Sequence, residues 1–136
     1  MSQPTSPKWQ FVLTAIFISF QINSKLVSVL KNSYIVILVT AKDKAEAEKI
    51  TQALLRERLI ACGNIVHPVT SFFFWGAKID GAEECLIVMK SRLDLFSQVV
   101  EHVKGLHSYE VPEILALPIV DVSEAYLDWL RGVLKS

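Results

Sequence analysis

Residues 61–90 read ACGNIVHPVTSFFFWGAKIDGAEECLIVMK, and the fold turns on this stretch. Its first half, 61–75, is rich in β-branched and aromatic residues and predicts a long strand. Proline cannot donate to a ladder, so His67-Pro68 makes the strand an edge or bulges it there. Lys78-Ile79-Asp80-Gly81 carries turn chemistry, with Asp-Gly its strongest element. The run ECLIVMK, Glu84 to Lys90, returns as the partner strand. Together they predict a hairpin with Phe72, Phe73, Phe74 and Trp75 in succession. Alternate strand residues face opposite ways, so one domain cannot easily bury all of these rings. Exposed aromatic strands invite pairing with another chain.

Upstream, YIVILV at 34–39 is a continuous apolar run, as for a central strand covered on both faces. Thr40 and Asp43 can cap a helix, and Glu46 stands in capping-box position after Asp43. Ala47, Ile50, Ala53 and Leu54 follow at helical spacing, so a helix is predicted from about 43 to 58. Downstream, Ser91 and Asp94 can open a second helix with Phe96, Val99, Val100 and Val103 as its apolar stripe. Gly105 weakens its end. Residues 107–113 read as a loop, ILALP at 114–118 as a short buried strand, and Ser123 as the cap of a last helix bearing Tyr126, Leu130, Val133 and Leu134.

The order is β-α-β-β-α-β plus a terminal helix. That is an α+β, ferredoxin-like sandwich. Both main helices cover one face of a four-stranded antiparallel sheet, and the other face has no helix. A second subunit is the simplest cover for it.

Composition bounds the function. The 136 residues suffice for one domain, and 14 basic side chains balance 14 acidic ones. That balance excludes an electrostatic case for nucleic acid or an anionic membrane as partner. An apolar share of 51% exceeds what one small core needs. Cys62 and Cys85 make no disulfide framework. With a turn near Asp80-Gly81, Cys85 would face residue 76, far from Cys62. Reduced, buried thiols and a cytoplasmic setting follow.

Residues 1–33 differ from the rest. A polar, Pro-containing opening precedes the apolar run WQFVLTAIFISF at 9–20, which is too short to span a bilayer. Three readings stay open: a disordered extension, a start codon placed too far upstream, or a signal-like or anchoring segment. A membrane is a partner only if the last holds. The domain proper is 34–136.

The segments YIVILVTAKD (34–43), RLIACGNIVHPVTSFFFWGAKI (58–79), ECLIVMKSR (84–92), LHSYEVPEILALPI (106–119) and YLDWLRGVL (126–134) resemble the divalent-cation tolerance (CutA) family in order and spacing. The resemblance implies a homotrimer whose long hairpins pair edge to edge between subunits, with an architecture akin to the PII signalling proteins. It also implies a link to tolerance of copper and other divalent cations, and no catalysed reaction.

The loop from His107 to Glu113 matches the family's His-Pro-Tyr…Pro-Glu segment, with Ser108 in place of the usual Pro. His107 and Glu113 are therefore the candidate ligands for copper(II) or another divalent cation. Some relatives carry Cys at the position of Val39 and a second His at that of Leu106, so two potential donors are missing. The competing reading is a loop in which Tyr109 and Glu113 hold the trimer by hydrogen bonds. Phe73, Trp75, Lys78, Lys90 and Tyr109 are candidates for an inter-subunit cleft or interface. A cationic, aromatic-edged cleft would suit a small anion, which makes a PII-like sensor the alternative function; a scaffold for a partner protein is another. His67 and His102 read as surface histidines, and the two thiols as structural. Glu83 and Glu84 are strand neighbours and point to opposite faces. No nucleophile–base pair, phosphate loop or zinc spacing is legible, so the chain reads as a non-enzyme.

Overall fold

This computed structural model describes residues 10–16, 18, 19, 21 and 33–136. The chain divides into two units at the junction of Asn32 and Ser33. In the first, residues 10–16 are helical, with Phe11, Leu13 and Ile16 exposed. No helix among the described residues is long and apolar enough to cross a membrane. The readings offered for 1–33 fall mostly on residues outside the described set.

The second unit runs β1 (Tyr34–Ala41), α1 (Lys44–Arg56), β2 (Cys62–Trp75), β3 (Lys78–Arg92), a 3-10 turn (Leu93–Leu95), α2 (Phe96–Leu106), β4 (Ile114–Pro118) and α3 (Glu124–Val133). The sheet order is β2-β3-β1-β4, antiparallel throughout. This is the ferredoxin-like sandwich with an added terminal helix. Ile37, Val39, Ile87 and Met89 from the central strands share one core with Ile50 and Leu54 of α1 and Val99 and Val103 of α2. Each such side chain, fully buried, contributes about 1.5–3 kcal/mol. Leu130 and Leu134 of the C-terminal segment join that core.

Capping explains the start of α1. Asp43 is its N-cap, and its carboxylate accepts the Glu46 N–H at 2.8 Å. The α2 start departs from expectation. Neither Ser91 nor Asp94 caps it: Leu95 is the N-cap and makes no side-chain cap bond. Ser91 instead ends the sheet, buried, and its hydroxyl donates to the Leu59 carbonyl at 2.5 Å. Asp94 is held by Arg92 at 2.5 Å. Ser123 occupies the N-cap position of α3 without a side-chain bond.

The hairpin turn is the main correction. Trp75 pairs with Lys78, so the turn is Gly76-Ala77, and Asp80 and Gly81 lie inside β3. Gly76 has φ +63°, a left-handed conformation that glycine adopts without a Cβ penalty. Gly81 has another use. It pairs with Phe72, and a Cβ there would stand 3.2 Å from the Phe72 ring. A glycine across from an aromatic lets the ring lie down on the strand. The His67–Pro68 peptide is cis, and the register shifts between Val66 and Val69, so the expected bulge is present on edge strand β2.

Because the turn sits earlier than expected, the hairpin is longer. β1 pairs with β3 only from Cys85 to Arg92. Residues 78–84 pair with β2 alone and form a two-stranded arm. At about 3.4 Å per residue it reaches roughly 24 Å past the sheet. On it Phe72, Phe74, Trp75 and Ile79 are 78%, 75%, 76% and 72% exposed. The helix-free face of the sheet is also uncovered. Alternation leaves Ile35, Ile37 and Val39 buried but Val36 and Leu38 only half-buried. Leu115, Leu117 and Val66 are exposed. Within one chain, then, β1 is covered on a single face.

Candidate functional site

The polar groups gather where the end of β1, the start of α1 and the 107–113 loop meet. Glu46, on the first turn of α1, is buried, and three donors converge on it. Its carboxylate accepts the Ser108 N–H at 2.5 Å, the Ser108 hydroxyl at 3.0 Å and the Lys42 N–H at 3.2 Å. His107 Nδ1 lies 3.9 Å away. Burial alone would raise the Glu46 carboxyl, but these hydrogen bonds bring it below its ordinary range.

His107 follows the C-terminus of α2, and its side chain is fully buried. Nε2 lies 2.7 Å from the Thr40 carbonyl, and Nδ1 accepts the Tyr109 N–H at 3.0 Å. The partners assign the tautomer: Nε2 carries the proton and donates. Both ring nitrogens are thereby committed to backbone. Tyr109 packs its ring 4.8 Å from that of His107. Its hydroxyl donates to buried Glu84 at 2.8 Å. Burial and this carboxylate push the phenol up to about 12. The Tyr109 hydroxyl thus bonds inside its own chain.

Glu113 is exposed, just before β4. Val39 is buried in the core, and half-buried Leu106 ends α2. Among the described residues no group of three or more His, Cys, Asp or Glu side chains comes together. The donors around His107 therefore do not fit a metal as they stand. A lone pair would become free only if the loop gave up a hydrogen bond.

Within one chain the arm residues do not gather in one place. Trp75 and Lys78 face each other at the arm's tip, with Phe73 next to them opposite Asp80. Lys90 lies near the other end of β3, opposite Cys62, and its ammonium donates to Asn64. Twelve residues of strand, 78 to 90, separate the lysines by about 40 Å. The Gly76-Ala77 turn thus keeps the two lysines apart along one hairpin.

Residues given no role do meet. Cys85, fully buried, places Sγ 3.0 Å from Nδ1 of exposed His67. His67 is therefore on the surface but has a partner. Burial, and after it the charge of Asp43, pushes the thiol up. Cys85 does not face residue 76; it lies beside Leu86, which pairs with Val66 at the edge of the bulge. Both cysteines are free, and Cys62 is half-buried, 3.7 Å from the Tyr126 hydroxyl. His102 is exposed and bonds the Gln98 carbonyl of its own helix.

A family model described as CutA1 divalent ion tolerance protein matches residues 35–133. The chain belongs to this family. The Divalent-cation tolerance protein CutA of Thermus thermophilus is 44% identical over 96 residues, which are 71% of this chain and 93% of that one. The Arabidopsis thaliana Protein CutA, chloroplastic, is 38% identical over 72% of this chain, and the match spans only 54% of that relative. The Oryza sativa CutA1 crystal structure superposes with a TM-score of 0.75 at 34% identity, covering 79% of this chain and 98% of its own. In the CutA frame, the 107–113 loop and the β2–β3 hairpin are this chain's versions of shared segments, whereas Glu46 and Glu84 emerge as organisers of that loop. The capping-box spacing marked Glu46 as an N-terminal helix residue, but its link to Ser108 crosses 62 residues and leaves no local trace.

Proposed function

We propose that this protein is a non-enzymatic homotrimer that contributes to divalent-cation tolerance in the cytoplasm by binding, with copper the first cation to test. Family membership supports the tolerance role. The observation that carries the trimer is the bare arm. An isolated two-stranded ribbon is marginal in water, yet here one extends past the sheet with four large apolar side chains more than two-thirds exposed. The sheet's helix-free face is apolar as well. Copies of the same chain supply a matching surface, arm against arm and against the uncovered face.

Light scattering on the full chain tests the assembly. Three chain masses, unchanged on dilution, is the expected result; a soluble monomer sinks the proposal. Calorimetric titration with Cu(II) of wild type and His107→Ala tests the cation part. Equal heats remove His107 from the site. Fractionation of cells expressing the tagged full chain tests the compartment.

A further inference from the structure

We propose that Cys85 Sγ and His67 Nδ1 are the two ligands of a binding site for a soft monovalent cation, Cu(I). The proposal rests on the cation-tolerance reading above and places its binding on a different pair from His107 and Glu113.

Four observations lead there. The first is geometric: a thiol and an imidazole from neighbouring strands already meet at 3.0 Å, across 18 residues of chain. Sulfur and imidazole nitrogen are the donors that soft and borderline transition metals select. The second is the number of donors. No third His, Cys, Asp or Glu completes the group among the described residues. Zinc wants four ligands and hard divalent ions want oxygen, whereas Cu(I) accepts a linear pair. The third is charge. The charges of Asp43, Glu83 and Glu48 act on Cys85 in one direction and that of Lys44 in the other. That surrounding draws a metal ion in and disfavours a free thiolate. The fourth is access. Cys85 is sealed, but His67 is exposed on edge strand β2 beside the bulge. The ion arrives at the imidazole and passes to the sulfur.

The exchange balances. The Cys85 thiol and His67 Nδ1 now share a hydrogen bond, and the thiol carries one proton. Cu(I) replaces that proton, which leaves to water, and the sulfur–metal bond forms with no change in oxidation state. Metal–sulfur and metal–nitrogen bonds of about 2.3 and 2.0 Å require the two atoms to part beyond their present contact. The exposed His67 ring moves outward to allow it.

The test is an anaerobic Cu(I) titration of the full chain against bicinchoninate as a coloured competitor. Wild type is expected to hold one Cu(I) per chain. Cys85→Ala and His67→Gln are each expected to weaken retention by more than about tenfold, the loss that even an outer-shell partner causes. Cys62→Ala, whose thiol lies elsewhere, retains it. X-ray absorption on loaded wild type, expected to show one sulfur and one nitrogen neighbour, does not depend on how the variants fold. Retention by Cys85→Ala equal to wild type, or a copper spectrum without sulfur, overturns the proposal. Loss only in His107→Ala overturns it and leaves the cation-tolerance reading standing. No binding of Cu(I) or Cu(II) by any chain overturns both.

Discussion

Between Cys85 and Arg92, β3 lies against β1 and beneath both helices; between Lys78 and Glu84 it has only β2 beside it. The arm half, KIDGAEE, is mostly polar and the sheet half, CLIVMKSR, mostly apolar, but each carries an isoleucine. In the sheet half, Ile87 and Met89 are wholly buried, and in the arm Ile79 is 72% exposed. For the two isoleucines, identical in hydropathy, burial follows from what lies across the strand. The sheet half stabilises the single chain, and the arm stabilises only an assembly. Its apolar side chains have no partner at home.

The largest expected effect is on assembly. Phe74→Asp places a charge on the arm's aromatic face, and light scattering should report a fall from three chains to one, with far-UV circular dichroism unchanged. A trimer that survives Phe72→Asp and Phe74→Asp together would break the contrast between the halves. Next come paired truncations. Ile87→Ala, in the core, should cost about 2–5 kcal/mol by urea unfolding of a chain kept monomeric by Phe74→Asp. In that background Ile79→Ala should cost less than about 0.5 kcal/mol. Equal costs would mean the arm folds back onto its own chain. Ser91→Ala strands the Leu59 carbonyl that it now satisfies, and about 1–3 kcal/mol should be lost. Gly76→Ala, at φ +63° with open space around it, should cost about 1 kcal/mol through the backbone alone.

The smallest effect is in pH dependence. The Glu46 carboxyl is lowered in the folded chain, so its stabilisation is present above the ordinary value of 4.5 and is lost as pH falls below it. Glu46→Gln should flatten that acid limb in thermal melts. Tyr109 is raised, so its contribution is full below pH 10 and disappears as pH climbs towards about 12. Tyr109→Phe should flatten the alkaline limb. An unchanged acid limb in Glu46→Gln would remove Glu46 as the organiser of the loop.

Much of the fold was legible for reasons that can be named. The apolar run at 34–39, the helical spacing of Ala47, Ile50 and Leu54, and ILALP at 114–118 each became the predicted strand or helix, although ILALP, expected to be buried, is half-buried to exposed. His67-Pro68 marked the bulge because proline cannot join a ladder. Asp80-Gly81 misled because the same dipeptide that makes a tight turn also seats an aromatic ring inside a strand. Ser91 misled in a similar way: a hydroxyl suited to a helix cap serves equally well to satisfy a buried carbonyl.

The candidate site was less legible. His107 was singled out, but the groups that use its nitrogens are backbone atoms of Thr40 and Tyr109, which no residue pattern reveals. The pair of Cys85 and His67 was missed because the placement of the turn paired Cys85 with the wrong stretch of β2.

The order of elements, the amphipathic faces and the cap at Asp43 were set by the sequence alone, because each depends on residues within about one turn of one another. The tertiary structure alone decided which distant groups meet: Ser108 with Glu46 across 62 residues, and His67 with Cys85 across 18. It also decided how far the arm reaches. Packing of the 107–113 loop against α1 fixes the first of these and sheet register the other two, and moving a turn by a few residues re-pairs every side chain along the hairpin.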